Sequence, residues 1–528
     1  MLADADALKP AYDVLVAGAG TGGCVVAGRL TEAGLSVLLI EAGPPSDGHP
    51  AIADAGAWAS LLGGPCDWGL SYAPGPYVDG RIIAIPRGKV LGGSSSINAM
   101  LWNRGHPSDY DGWAESGAVG WDFASVLPYF RRAEDWEGGE TPLRGAGGPL
   151  RIETPPDPHP VARALIAAAA EKGWPVLADA NGPDNEGAAL ANLNMRDGRR
   201  WSVVDGYIRP HAGNPRLTVL TGSTVLSLLF EAGRCVGLRH ALDGRVVETR
   251  AGHETVLALG AVETPCLLMR SGIGDPAELA RLGIPTRLGL PGVGRNLQDH
   301  PLLMGINFSA RAPLGPVRDN GGGALLNWRS RDGLAAPDLH AFVVQGPHAG
   351  PDLAATADLT GPVFAVSPGL MGSKSVGYLR MEGPEPGDPV TLQPHYLAEA
   401  SDRAALSSSV DTILDLAETA AFRALGAAPL IPHGRLGQAE SERFVRAACS
   451  TFFHTSGTCA MGVGSEAVVD PALNLHGVPG LRIADASVMP IIPTGNTQAP
   501  VVMIAERAAE WIAQGGPGKP RDTRMERA

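Results

Sequence analysis

Near the carboxyl end of the chain, FFHTSGTCAMG (452–462) sets His454 just ahead of a glycine turn, and ADASVMPIIPTGNTQAP (484–500) sets Asn496 in a loop bounded by proline and glycine. An imidazole ordinarily titrates near neutrality, so His454 is suited to take a proton from a group too weakly acidic to release it unaided. The amide of Asn496 can donate a hydrogen bond to the atom that loses that proton. Asp485 ends a short buried strand, LRIAD, the position where ligand contacts gather in open α/β sheets.

Such groups need a partner held still, and the stretch 12–43 supplies the means. Val14, Leu15, Val16 and Ala17 form a continuous apolar run that suits a strand buried on both faces of a parallel sheet. Gly18, Gly20 and Gly23 then give G-x-G-x-x-G, which turns the chain, lets backbone approach a pyrophosphate and packs the next helix against the strand. A second strand, SVLLIE, finishes at Glu41, where a carboxylate can accept hydrogen bonds from a ribose diol and repels a 2′-phosphate. Strand, glycines, helix, strand and carboxylate in this order indicate a dinucleotide, either NAD or the ADP half of FAD, with NADP disfavoured. A second glycine-rich block, RGKVLGGSSSINAMLWNRG (87–105), has apolar flanks that mark a buried loop able to lie against a flat or anionic group.

At 528 residues the chain predicts two or more folding units, and its 44% hydrophobic and 18% charged residues are those of a soluble globular protein. The formal net charge of -13 argues against nucleic acid or an anionic membrane surface as partner. No apolar run is long enough for a spanning helix, and the first residues lack the regions of a signal peptide, so a cytoplasmic location is expected. Cys24, Cys66, Cys235, Cys266, Cys449 and Cys459 lack metal-ligand or disulfide spacing and read as reduced, buried thiols; no metal is expected.

The stretches 217–230 and 253–261 read as strands with a hairpin between them, and GAVETPCLLMRSGIG (260–274) as a strand exit, a helix and a glycine stop. From about residue 310 to 443, LHAFVVQ, GPVFAVSP, VGYLRME and PVTLQP suggest an antiparallel sheet covered by helices such as 404–421. The expected organisation is a Rossmann-like cofactor-binding α/β domain built from 1–160, 211–309 and 446–514. A connecting segment (161–210), an α+β substrate domain (310–445) and a polar tail (515–528) complete it.

Four separated blocks, from the opening fingerprint through GKVLGGSSSIN and GAVETPCLLMRSGIG to the closing pair HTSGTCAMG and ADASVMPIIPTGNTQAP, resemble the glucose-methanol-choline family of FAD-dependent oxidoreductases. The resemblance runs from residue 12 to about 514. It implies an FAD-binding α/β domain and a substrate domain on a six-stranded antiparallel sheet. It places the catalytic histidine on His454 and the second catalytic position on Asn496. Cofactor contacts fall on Gly18, Gly20, Thr21, Gly23, Glu41, Gly93, Ser94, Asn98, Val225, Asp485, Ala486 and Thr497. GVGRNLQDHP, with Asn296, Asp299 and His300, is also family-like and is assigned a structural role. Members with a histidyl-linked flavin carry that histidine where this chain has Ile97, so non-covalent FAD is expected.

The reaction this implies is oxidation of a small or aromatic primary alcohol to the aldehyde. His454, titrating near neutrality, takes the hydroxyl proton as hydride leaves for flavin N5, and oxygen or a quinone-type acceptor removes the electrons. Phe452, Phe453, Trp102, His340, Phe342 and Val344 are candidates to line an apolar pocket. Choline-like or sugar alcohols, and a flavin-containing hydroxynitrile lyase of the same architecture, are the alternatives.

Overall fold

In the computed structural model, which describes residues 8–515, two sheets carry the architecture. The tail expected from residue 515 onward lies, past Gly515, outside the described residues. The first sheet has a parallel core in the order Leu217–Leu220, Val37–Ile40, Ala11–Ala17, Arg245–Leu257 and Leu481–Ile483. Val14 to Ala17 and Val37 to Ile40 are buried, as continuous apolar runs in mid-sheet should be. The chain reverses at Gly18, whose φ is +92° and where a Cβ would lie 2.5 Å from the Ala258 carbonyl oxygen. Only glycine lets the strand end, the helix Thr21–Glu32 and the neighbouring strand meet there.

The run expected as one strand over 217–230 is two. Leu217–Leu220 stays in the parallel core, a Thr-Gly-Ser turn intervenes, and Thr224–Glu231 starts an antiparallel meander with Arg234–Leu242 and Arg245–Leu257. The expected hairpin is the second half of that meander. Arg245–Leu257 serves both halves of the sheet, antiparallel to one neighbour at its start and parallel to Ala11–Ala17 at its end.

The second sheet is antiparallel, with six strands in the order Ala428–Ile431, Asn307–Ser309, Val363–Leu370, Leu339–Val344, Ala324–Trp328 and Gly187–Leu190. Pro301–Leu303 and Cys449–Thr451 pair beside Val363–Leu370, so strands from outside 310–445 complete it. Helices Pro160–Glu171 and Ala400–Leu416 pack over it. The expectation that VGYLRME and PVTLQP join this sheet is corrected: Tyr378–Met381 and Val390–Gln393 form a separate two-stranded ribbon. Both are short and bounded by Gly and Pro, and their outer edges are taken by other segments, Leu379 N donating to Gly294 O at 2.7 Å and Ala73 N to Leu392 O at 2.8 Å.

The last helix, Gln498–Gln514, packs on Thr21–Glu32 and locks it through a buried ion cluster. Glu506, with no exposure, accepts hydrogen bonds from Arg29 Nε at 2.9 Å, Arg132 Nε at 2.7 Å and Tyr207 OH at 2.6 Å. Burial of a carboxylate costs several kcal/mol unless it is met this fully. All six cysteines are buried and unpaired. Among the described residues no helix is long and apolar enough to cross a membrane.

Candidate active site

A cavity of about 630 Å³ runs between the two sheets. One end is walled by backbone: Gly18, Gly20, Thr21 and Gly22 from the first glycine turn, and Gly93, Ser94 and Asn98 from the second block. The two loops touch through glycine, since a Cβ on Gly93 would lie 2.7 Å from Gly20 Cα. Two helices begin on this wall, Thr21–Glu32 and Gln498–Gln514, and neither has a side-chain cap. Their free amides and dipoles favour an anion, and the flat glycine floor admits a planar ring, so this end fits FAD.

Glu41 closes the wall. Its Oε2 accepts from Ala19 N at 3.1 Å and its Oε1 from Gly43 N at 2.9 Å, while burial pushes its pKa up to about 7. Asp485, Ala486 and Thr497 also line the cavity. Asp485 Oδ2 takes Gly260 N at 2.9 Å and Thr264 Oγ1 at 2.6 Å, capping the helix Gly260–Arg270. Gly23 and Val225 are not on the wall. Gly23 lets the helix pack on the strand, for a Cβ there would lie 1.8 Å from the Gly18 oxygen. Val225 is buried in the meander just after Ser223, whose amide donates to Glu41 O at 2.9 Å.

His454 and Asn496 are brought together at the other side of this floor, 7% and 8% exposed. Asn496 Nδ2 lies 3.2 Å from His454 Nε2, and His454 Nδ1 lies 2.9 Å from His300 Nδ1. Donation from the amide makes Nε2 an acceptor, which leaves the His454 hydrogen on Nδ1, donated to His300. Nε2 is thus the basic atom and faces the cavity. The sequence expectation that His454 titrates near neutrality is corrected. Burial, followed by the charges of His300, Arg87 and His340, holds it well below the usual 6.5. Burial likewise lowers His300 to about 4. Both rings are neutral at physiological pH, which leaves a lone pair on His454 Nε2.

The backbone before His454 is strained into place. Phe453 has φ +66°, its N–H donates to Thr451 Oγ1 at 2.7 Å, and its carbonyl accepts from Arg87 Nη1 at 2.5 Å. Residues 296–300 form the jig beneath. Gln298 exchanges backbone hydrogen bonds with Ser456 at 3.0 and 2.9 Å, and its side chain, with that of Asn296, holds Pro490 O and Ile492 N ahead of Asn496. Asp299 accepts five hydrogen bonds: at Oδ2 from Tyr72 OH, Tyr396 OH and Thr451 Oγ1 at 2.5, 2.7 and 2.6 Å, and at Oδ1 from His300 N and His454 N at 2.8 and 2.7 Å. This motif, expected to be structural, holds the His454 backbone in place, and His300 also touches its ring.

Of the residues expected to line an apolar pocket, Phe342, Val344, Phe452 and Phe453 do so, with Leu302 and Met304. Trp102 and His340 do not. Trp102 is in the core with Nε1 on Glu134 Oε1 at 2.7 Å, and His340 lies behind Phe452, bonded to Asn327 at 2.7 Å. Sequence reasoning missed Arg87, Gln498, Arg200 and His348. Gln498 bonds the Asn98 amide, and Arg200, buried and lowered to about 9, donates to Asn98 Oδ1 at 2.8 Å. Arg87 opens the second glycine block and Gln498 lies in the closing block beside Thr497, so both could have been flagged there; Arg200 and His348 carry no local signal.

Comparison with known proteins agrees with this geometry. Residues 12–302 match the N-terminal part of the GMC oxidoreductase family profile and residues 373–505 the C-terminal part. Human mitochondrial choline dehydrogenase is 36% identical over 541 residues, covering 95% of this chain and 89% of that protein. The oxygen-dependent choline dehydrogenase of Brucella anthropi is 34% identical over 528 residues, 95% of each. The crystal structure of pyridoxine 4-oxidase from Mesorbium loti aligns with a TM-score of 0.90 at 34% identity, covering 94% of this chain and 98% of that one. With an FAD-shaped floor, a buried neutral histidine over it and family matches along nearly its full length, the chain belongs to the glucose-methanol-choline (GMC) family of FAD-dependent oxidoreductases.

Proposed function

We propose that this protein oxidises an uncharged aromatic primary alcohol to the aldehyde, passing the electrons to oxygen or a quinone-type acceptor in the cytoplasm. The observation that carries the reading is the pairing of His454 Nε2 and Asn496 Nδ2 across one position on the cavity wall. A hydroxyl inserted there donates its proton to Nε2 and accepts from Nδ2, which orients its carbon toward the glycine floor. FAD, when bound on that floor, supplies the acceptor for the hydride, at N5. Proton uptake turns His454 into a cation whose Nδ1 hydrogen already rests on His300, so the charge is shared between the two rings.

The wall decides the substrate class. The carboxylates on it, Glu41, Glu263 and Asp485, all stand on nucleotide-side elements, while the substrate side presents Leu302, Met304, Phe342, Val344, Phe452 and Phe453. Choline, named in two relatives, carries a fixed positive charge that this side meets with ring faces alone and no carboxylate, a weaker match than an uncharged ring finds there. Anaerobic addition of benzyl-type alcohols is expected to bleach the oxidised flavin band. Choline is expected to leave it unchanged, and a choline-reduced flavin would reverse the assignment. Repeating the assay in air and with a quinone identifies the acceptor.

Glu41 is proposed to hold the ribose. Hydroxyl donors favour the ionised carboxylate, whose pKa of about 7 is raised from the usual 4.5 by burial. At lower pH the bound proton must first leave, so FAD affinity falls as pH falls through 7 and levels off above it. Between pH 8 and 6 the loss is about 10-fold. Flavin fluorescence quenching by apoprotein measures this, and Glu41→Gln should flatten the curve; an unchanged slope in that variant assigns the titration elsewhere.

A further inference from the structure

Beyond His454 the cavity wall is a row of rings with an imidazole at each end. The His454 ring stacks on Phe452, with centroids 5.5 Å and planes 9° apart; Phe452 meets Phe342 at 5.6 Å, and Phe342 meets His348 at 6.1 Å. All four side chains line the cavity. His348 is held firmly. Its Nδ1 lies 2.6 Å from Oγ of the fully buried Ser367, and its backbone N–H and C=O are clamped by the Asn307 side chain at 2.8 and 3.1 Å.

That leaves Nε2. The Nε2 atoms of His300 and His340 are sealed in the core without a partner; that of His348 is not sealed, and no protein group among the described residues bonds it. Gln345, the polar neighbour on the wall, is turned away, with Nε2 3.4 Å from Asp319 Oδ1 and Oε1 sealed. An imidazole with one nitrogen spent inward and the other open over an apolar wall is a recognition element.

Resting on the alcohol-oxidation reading above, we infer that His348 is a specificity-determining residue that hydrogen-bonds a ring hydroxyl on the aromatic alcohol, at the end remote from the reacting CH2OH. The preferred substrates are then hydroxybenzyl-type alcohols. With the CH2OH between His454 and Asn496, a ring laid over Phe452 would extend along the row of rings, through Phe342, in the direction of His348. A hydroxyl suits Nε2 whichever way the Ser367 bond sets the hydrogen, because a hydroxyl both donates and accepts. An unsubstituted ring leaves Nε2 unpaired, and a site built to bond a hydroxyl rejects the analogue that lacks it.

Two measurements on the flavin-loaded enzyme separate the site from the reaction. Binding is read from perturbation of the flavin spectrum by the unreactive pair 4-hydroxybenzamide and benzamide. Turnover is read with 3- and 4-hydroxybenzyl alcohol against benzyl alcohol. The hydroxylated members are expected to be favoured about 10-fold to 100-fold in Kd and in kcat/KM. His348→Phe should bring both ratios near one, and His348→Gln, which keeps a hydrogen-bonding group, should retain part of them. An unchanged flavin spectrum and Tm show that each variant is folded. A ratio near one in the parent enzyme, or one that survives in His348→Phe, overturns the inference. Binding preference without flavin reduction keeps the site and rejects alcohol oxidation; reduction without preference does the opposite; neither effect rejects both.

Discussion

Replacing His454 by alanine is expected to leave the protein yellow with FAD and to slow flavin reduction by alcohol about 100-fold to 10,000-fold, the usual worth of a positioned general base. The retained cofactor follows from the site, since the floor that fits FAD is made of Gly18, Gly20 and Gly93 and two helix starts, and His454 reaches only the approach to one of these, through Asn496. The loss follows from Nε2 being the basic atom turned to the cavity beside Asn496. The pH profile of the parent enzyme carries the same claim. A group held well below its usual 6.5 by burial is fully unprotonated at neutral pH. Flavin reduction should therefore stay level as pH falls through 6.5 and decline only in more acidic solution. Near-normal reduction in His454→Ala, or a decline centred on 6.5 in the parent, would remove His454 from the role.

The second large effect is expected at a residue that touches no substrate. Asp299→Ala strands four donors, two of them the backbone amides of His300 and His454, in a site where all are buried, while Tyr72 OH keeps Thr455 Oγ1 at 2.7 Å. Unmet buried donors cost about 1–3 kcal/mol each and are not additive, so a loss of about 3–5 kcal/mol is expected, read as a fall in the urea midpoint. Flavin reduction should slow as well, because the strained turn at Phe453 loses its anchor. Asp299→Asn distinguishes packing from acceptor count. Its oxygen can still take both amides, and two of the Tyr72, Tyr396 and Thr451 hydroxyls can turn to accept from the two N–H groups of its nitrogen, leaving the third unmet. It should therefore fall between the parent and the alanine variant. Equal damage from both substitutions would show that the negative charge itself holds the cluster.

The nucleotide half of this site was open to reading because its chemistry is local. Gly18 to Glu41 carries strand, turn, helix and carboxylate within one stretch, and the burial of Val14 to Ala17 and Val37 to Ile40 follows its apolar pattern. His454 and Asn496 were recognisable through the motifs around them. What stayed hidden is set by contacts between distant parts of the chain. The low basicity of His454 comes from burial and from His300 and Arg87, 154 and 367 residues away in sequence. The split at residues 221–223 and the detachment of Tyr378–Met381 depend on which neighbours a strand finds, and alternation within the strand does not encode that. His348 sits in a Gly-Pro-His-Ala-Gly loop with nothing to mark it; its meaning appears only when Phe342 and Ser367 close around it.

The clasp of Glu506 on Arg29, Arg132 and Tyr207 has a bearing on biosynthesis. The helix that braces the first glycine turn, like the strand Leu481–Ile483 that borders the parallel core, is made hundreds of residues after that turn. A nascent chain on the ribosome thus holds an unfinished nucleotide fold, its sheet margin bare, until these distant elements have been made. Flavin capture then waits on the strand Leu481–Ile483 and the helix Gln498–Gln514, which follow the first glycine turn by more than four hundred residues.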